Sequence, residues 1–155
     1  MRIIDHKALD RLTAEAQNNP RRRKNLNIHP SDDHCCHRLF NAVEPDSYIR
    51  PHRHPDPVKA ETFVIIRGRL GIIVFDSDGA VVEKVLLTPG GETIAVDVPP
   101  GTFHTAVALS PGTIFFESKA GPYLPLTEKD FAAWAPNDNT PEGAAYLGHL
   151  RSLFL

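Results

Sequence analysis

Residues 47–68, SYIRPHRHPDPVKAETFVIIRG, gather the side chains best suited to chemistry. On an extended segment successive side chains alternate faces, so Arg50, His52 and His54 share one side and Arg53 takes the other. Glu61 opens the next apolar run after a proline-rich connection, and an antiparallel return brings its carboxylate beside the two imidazoles. PPGTFH adds a third, because Pro99, Pro100 and Gly101 mark a turn with His104 just beyond it. A single histidine on a strand is commonly an ordinary hydrogen-bonded residue. The coincidence of His-x-His, a following Glu and a His after Pro-x-Gly points instead to His52, His54, Glu61 and His104 as ligands of one divalent transition metal, with a position or two left for water or substrate. Zinc, iron, manganese and nickel all accept such a set. A purely structural ion ranks last, since such sites close their coordination shell and favour cysteine.

These residues resemble the cupin superfamily, whose motifs read Gly-x5-His-x-His-x3 or 4-Glu-x6-Gly and Gly-x5-Pro-x-Gly-x2-His-x3-Asn. His52, His54, Glu61, Gly68, Pro99, Gly101 and His104 stand in matching roles. Six residues separate His54 from Glu61, no glycine stands six before His52, and Ala108 replaces the closing Asn. The longer connection leaves two arrangements open, with Glu61 on the ion or behind a three-histidine site. RRRKNLN, HRLFNAV, PHRH, ETF, PPGTFH, ESKAGPY, WAP and a closing YL narrow the resemblance to the WbuC-type cupin metalloproteins, over nearly the whole chain. That resemblance implies a cupin double-stranded β-helix, or jelly-roll barrel. It also implies a carbohydrate or sugar-nucleotide ligand, in the setting of O-antigen and lipopolysaccharide biosynthesis.

ESKAGPY places Glu117 and Lys119 on one strand face, with Tyr123 beyond a turn. Together with Arg50, and with Arg67 and Lys59 as further candidates, Lys119 would make a cationic pocket for a carboxylate or phosphate, so Arg50, Lys119 and Glu117 are expected to bind substrate. Glu61 and Tyr123 are the residues able to move protons. Two function classes follow. One is a metal-dependent enzyme, isomerase/epimerase-like or dioxygenase-like, acting on a small anionic or sugar-like molecule; the other is a non-catalytic metal-dependent binding or sensor module. His34, Cys35, Cys36 and His37 alternate faces on a strand and cannot converge on a second ion, although one face could enter the barrel. The basic run Arg21, Arg22, Arg23 and Lys24 reads as solvated surface.

The elements that must position these groups are mainly β. Residues 5–18 put Leu9, Leu12 and Ala16 on one helical stripe with Asp5 as N-cap. Residues 35–119 break into about eight short β-branched and aromatic runs, including SYIRPHRH, with no helix long enough for a parallel crossover. Asp-Gly in DSDGA marks a hairpin. Antiparallel strands at this spacing predict a double-sheet jelly roll. The tail, residues 127–153, predicts one helix capped by Thr127 and halted by Pro136, and a second over 142–153; Trp134 is expected to pack in the core.

The 155 residues suit one domain, with 17 basic and 19 acidic side chains giving a net charge of −2. That balance disfavours nucleic-acid binding. No run reaches transmembrane length, the N-terminus lacks a signal peptide's apolar stretch, and the only two cysteines are adjacent, so a cytoplasmic protein with reduced thiols is expected. Exposed sheet edges give a homodimer a physical motive.

Overall fold

A computed structural model describes residues 1–155. The chain opens with α1 (His6–Gln17), where the Asp5 carboxylate accepts from the Ala8 N–H at 2.9 Å and so satisfies one of the unpaired amides of the first turn. Leu9, Leu12 and Ala16 are buried against Ala42 and Ile114, which fixes the helix on the outer face of a sheet. Eight strands follow: β1 (Arg23–Asn27), β2 (Cys36–Val43), β3 (Glu61–Arg67), β4 (Leu70–Phe75), β5 (Val81–Leu87), β6 (Ala95–Val98), β7 (Phe103–Ala108) and β8 (Thr113–Ala120). The last element is α2 (Pro141–Ser152).

The strands form a five-stranded sheet in the order β1-β2-β8-β3-β6 and a three-stranded sheet in the order β5-β4-β7, every pairing antiparallel. This is the cupin-like jelly-roll architecture. Between the sheets lies an apolar core of Val43, Phe63, Ile65, Leu70, Leu87 and Phe115 with their neighbours. Along these strands the same inward face then turns polar. Phe115 on β8 gives way to Glu117 and Lys119, Ile65 and Phe63 on β3 to Glu61, and Ala108 and Ala106 on β7 to His104, each two residues apart. One end of the sandwich is thus packed and the other carries chemistry. Behind the smaller sheet, Ile73, Phe75 and Val107 meet Leu147 and Leu150 of α2, with Trp134 packed 4.9 Å from the Phe75 ring. The β4–β5 hairpin closes where expected, with Gly79 at φ +92° and the Asp76 carboxylate accepting from the N–H groups of Asp78 and Ala80. No helix is long and apolar enough to cross a membrane.

Two expectations are corrected. SYIRPHRH forms no strand, because Pro51 and Pro55 cannot donate to a ladder; only His52 bridges, exchanging N–H···O bonds with His104 at 3.1 and 2.9 Å. Residues 127–135 form turns, not a helix. There the amide that a helix would turn back on itself is taken by tertiary pairing, with Ala132 N–H donating to Pro51 O, while Arg53 N–H donates to Asp130 O. The basic run lies at the surface as expected, with Arg21 and Lys24 exposed and Arg22 and Arg23 half-buried, and it also leads into the edge strand β1, which pairs with β2 from Arg23↔Val43 to Asn27↔Leu39.

Candidate metal centre

Three elements bring the four candidate ligands together. His52 and His54 come from the proline-bounded segment pinned to β7, Glu61 from the first residue of β3, and His104 from β7 itself. One ligand atom from each lies within 4.8 Å of every other. His52 Nδ1 donates to Arg50 O at 3.0 Å and His104 Nδ1 to Thr102 O at 2.9 Å. A carbonyl can only accept, so both rings carry their proton on Nδ1 and present the Nε2 lone pair, as metal-binding imidazoles do.

Glu61 and His104 are buried. Glu61 Oε1 is 2.8 Å from Lys119 Nζ and 3.2 Å from His54 Nε2, whereas Oε2 is 2.8 Å from His104 Nε2. Despite those separations, neither His54 Nε2 nor Glu61 Oε2 has an aligned hydrogen bond. Buried polar atoms seldom stay unpaired, and here two of them face their own kind in a set of nitrogen and oxygen donors. A divalent transition ion fits this group of residues by donor chemistry and by the lone pairs left over.

The electrostatics agree. Burial, then the adjacent His104, pushes His52 down to about 3, so its ring is neutral and able to ligate. For Glu61 burial alone would favour the acid, but the ammonium of Lys119 at 2.8 Å opposes it and holds the carboxyl below its usual range. Burial likewise opposes charge on Lys119, yet Glu117 and Glu61 raise it above an ordinary lysine. Glu117 Oε1 is 2.7 Å from that ammonium, and its Oε2 accepts from Asn41 Nδ2 at 2.8 Å. Lys119 therefore fixes the rotamer of Glu61 and directs Oε2 at His104.

Around this centre lies a cavity of about 200 Å³, whose lining includes His52, Glu61, His104, Glu117 and Lys119. A second, about 140 Å³, shares His52 and Lys119 with the first, adds His54 and reaches Tyr123, which is 55% exposed. Arg50, expected in the pocket, is not there: its guanidinium donates to Ala132 O, lies 3.6 Å from Glu128 and stacks 5.0 Å over the Phe131 ring. The preceding segment is not a strand, so the alternation that placed it beside His52 does not hold. Arg67 is outside as well, bound to Asp10 of α1 at 2.7 Å. His37 enters the interior, stacked 4.0 Å from His29 with Nε2 donating to Asp32 O, while Cys35 and Cys36 are exposed. Arg21, Arg23, Lys24, Asn25 and Asn41 line the larger cavity. Sequence reading missed them, although the alternation of Leu26 and Ile28 with Asn25 and Asn27 just after the basic run was a strand signal.

Structural comparison finds this fold in several proteins of low sequence identity. KdgF from Halomonas sp. matches with TM-score 0.52 at 20% identity, covering 68% of this chain and 84% of that one. TT1209 from Thermus thermophilus matches with TM-score 0.54 at 20% identity, covering 77% and 97%. The conserved SPY1581 protein of unknown function from Streptococcus pyogenes gives 0.52 at 11%, covering 79% and 90%. At these identities the likeness extends to the fold alone. No curated protein matches the sequence. Residues 4–87, more than half of the chain, do match one sequence family, so this cupin-fold protein belongs to the family described as Domain of unknown function (DUF6016).

Proposed function

We propose that the protein is a mononuclear metal-binding cupin in which His52, His54, Glu61 and His104 hold one divalent transition ion, and that it acts on a small anionic or sugar-like metabolite. The observation that carries this reading is the convergence of three imidazoles and one carboxylate within 4.8 Å, with His54 Nε2 and Glu61 Oε2 left without hydrogen bonds. An ion held there would act as a Lewis acid toward a ligand oxygen. The chain's own groups supply the rest. Lys119 orients Glu61, Glu117 steadies Lys119 and is itself held by Asn41, and Asn25 and Asn41 offer amides to hydroxyls in the larger cavity. Tyr123 is the acid–base group free of these networks. The resemblance to WbuC-type cupins supports a sugar nucleotide of O-antigen biosynthesis as the ligand, and free edges at β1, β5, β6 and β7 support a homodimer, which size-exclusion mass measurement tests.

Elemental analysis of untagged protein tests the metal reading. About one transition ion per chain is expected in the wild type, with uptake lowered about a hundredfold or more in His52→Ala and His104→Ala, beyond the 10- to 100-fold cost of losing a mere supporting partner. Wild-type protein that binds no transition metal, or variants that bind it as tightly, would refute the reading.

A further inference from the structure

Two ammonium groups border the smaller cavity beside the metal centre, and their circumstances differ. Lys119 sits between the carboxylates of Glu61 at 2.8 Å and Glu117 at 2.7 Å, so its charge is matched within the protein. Lys59 is only 6% exposed and belongs to none of the chain's ion pairs. Its ammonium donates to Pro122 O at 2.8 Å, and it meets Asp56 only through the backbone, N–H to O at 3.0 Å. An ammonium carries three donors, and a single carbonyl satisfies one of them. A cation withdrawn from water without a counter-charge is costly to keep, and a cavity is where a counter-charge can be supplied from outside.

We infer that Lys59 is the anion anchor of this site, pairing with the carboxylate or phosphate of a small ligand whose neighbouring oxygen reaches the metal centre. The inference rests on the metal-binding reading and narrows its ligand to an oxyacid carrying its charge next to the metal-binding oxygen. In the Glu61–Lys119–Glu117 cluster two carboxylates outweigh the one ammonium, so Lys119 has no charge to spare for such a ligand, and beside the ion itself only Lys59 can attract it. Lys59 supplies the attraction that Lys119 cannot. A cavity of about 140 Å³ is well under the roughly 300 Å³ at which drug-sized sites begin, so it suits one oxyanion group and a few attached atoms.

The test is calorimetric titration of Co(II)-loaded protein with glycolate, with glycolamide, which has the same shape without the charge, and with inorganic phosphate. Wild type, Lys59→Met and Lys59→Arg are compared, with metal content measured in each. Wild type is expected to bind glycolate or phosphate about tenfold or more tighter than glycolamide, the scale of one charge-assisted hydrogen bond. Lys59→Met should lose that preference at unchanged metal content, and Lys59→Arg should keep most of it. Preference for glycolate alone marks a carboxylate ligand; preference for phosphate marks a phosphoryl one. An undiminished preference in Lys59→Met, or wild type that binds neither anion better than glycolamide, overturns the inference. Failure of the metal reading shows separately, as wild type that takes up no cobalt. In that case phosphate should still raise the melting temperature of wild type and not of Lys59→Met, and an equal rise in both overturns the inference. If Lys59→Met does not fold, Lys59→Gln takes its place in each comparison.

Discussion

Glu61 shows how one buried carboxylate is made to serve two directions. Its Oε1 is tied to Lys119, and its Oε2 is left toward His104. Lys119 in turn owes its charge to Glu61 and Glu117, so the three form a unit that is stable only when complete. Removing the cation leaves two desolvated carboxylates facing each other, a change that costs roughly 3 kcal/mol or more where one member of a buried pair is deleted. Lys119→Met is therefore expected to lower the urea unfolding midpoint substantially, while Lys119→Met combined with Glu117→Gln recovers part of the loss. If the single variant unfolds at the wild-type midpoint, the cluster is not the supporting framework described above.

At the scale of elements, the cavity wall depends on two segments without regular structure being held against each other. Residues 121–123 are clamped to the loop before β2, with Gly121 N–H donating to Cys35 O at 3.0 Å and Tyr123 N–H to Asp32 O at 2.6 Å. The approach leaves no room for a side chain, since a Cβ at Gly121 would lie 1.8 Å from His34 O and 2.8 Å from His37 Cδ2. Gly121→Ala must push the strap outward, carrying with it Pro122, whose carbonyl receives Lys59, and Tyr123. The expected outcome is a loss of about 1–3 kcal/mol in urea unfolding, the range for forced overpacking, with metal uptake retained because all four candidate ligands lie elsewhere. Loss of metal uptake together with stability would show that the strap also shapes the metal centre.

For the whole molecule, the neutral histidines link stability to pH. His52 has a folded-state value of about 3 in the metal-free protein against roughly 6.5 when unfolded, so between those values the unfolded chain binds the extra proton. Stability is therefore expected to fall as pH drops from about 6.5 toward 3, at up to about 1.4 kcal/mol per pH unit from this group, and to be unaffected by it above 6.5. While the chain stays folded, His52 is neutral and able to ligate down to about pH 3, so loss of metal through protonation of this ring is expected only at the bottom of the window. Urea midpoints at pH 7, 6, 5 and 4 for chelator-treated wild type and His52→Gln check the sign, with a shallower dependence expected in the variant. Equal slopes would show that His52 is not desolvated in the folded state.

The alternation of apolar residues, the DSDGA hairpin and the spacing of His52, His54, Glu61 and His104 are local features, and they sufficed to give a mainly β jelly roll and one cluster able to hold a metal. Local spacing could not reveal where the segments between strands lie. Pro51 and Pro55 kept residues 47–54 out of the sheet, so Arg50 turned to the tail rather than the cavity, and backbone pairing with Pro51 and Arg53 drew residues 127–135 out of a helix. The basic run ended on the cavity because β2 needed a partner at its free edge. Whether a cation is matched by a carboxylate distant in sequence, as Lys119 is and Lys59 is not, depends on contacts across the barrel. Side-chain types and their periods are written along the chain, whereas the pairing of charges is set only when distant segments share a low-dielectric interior.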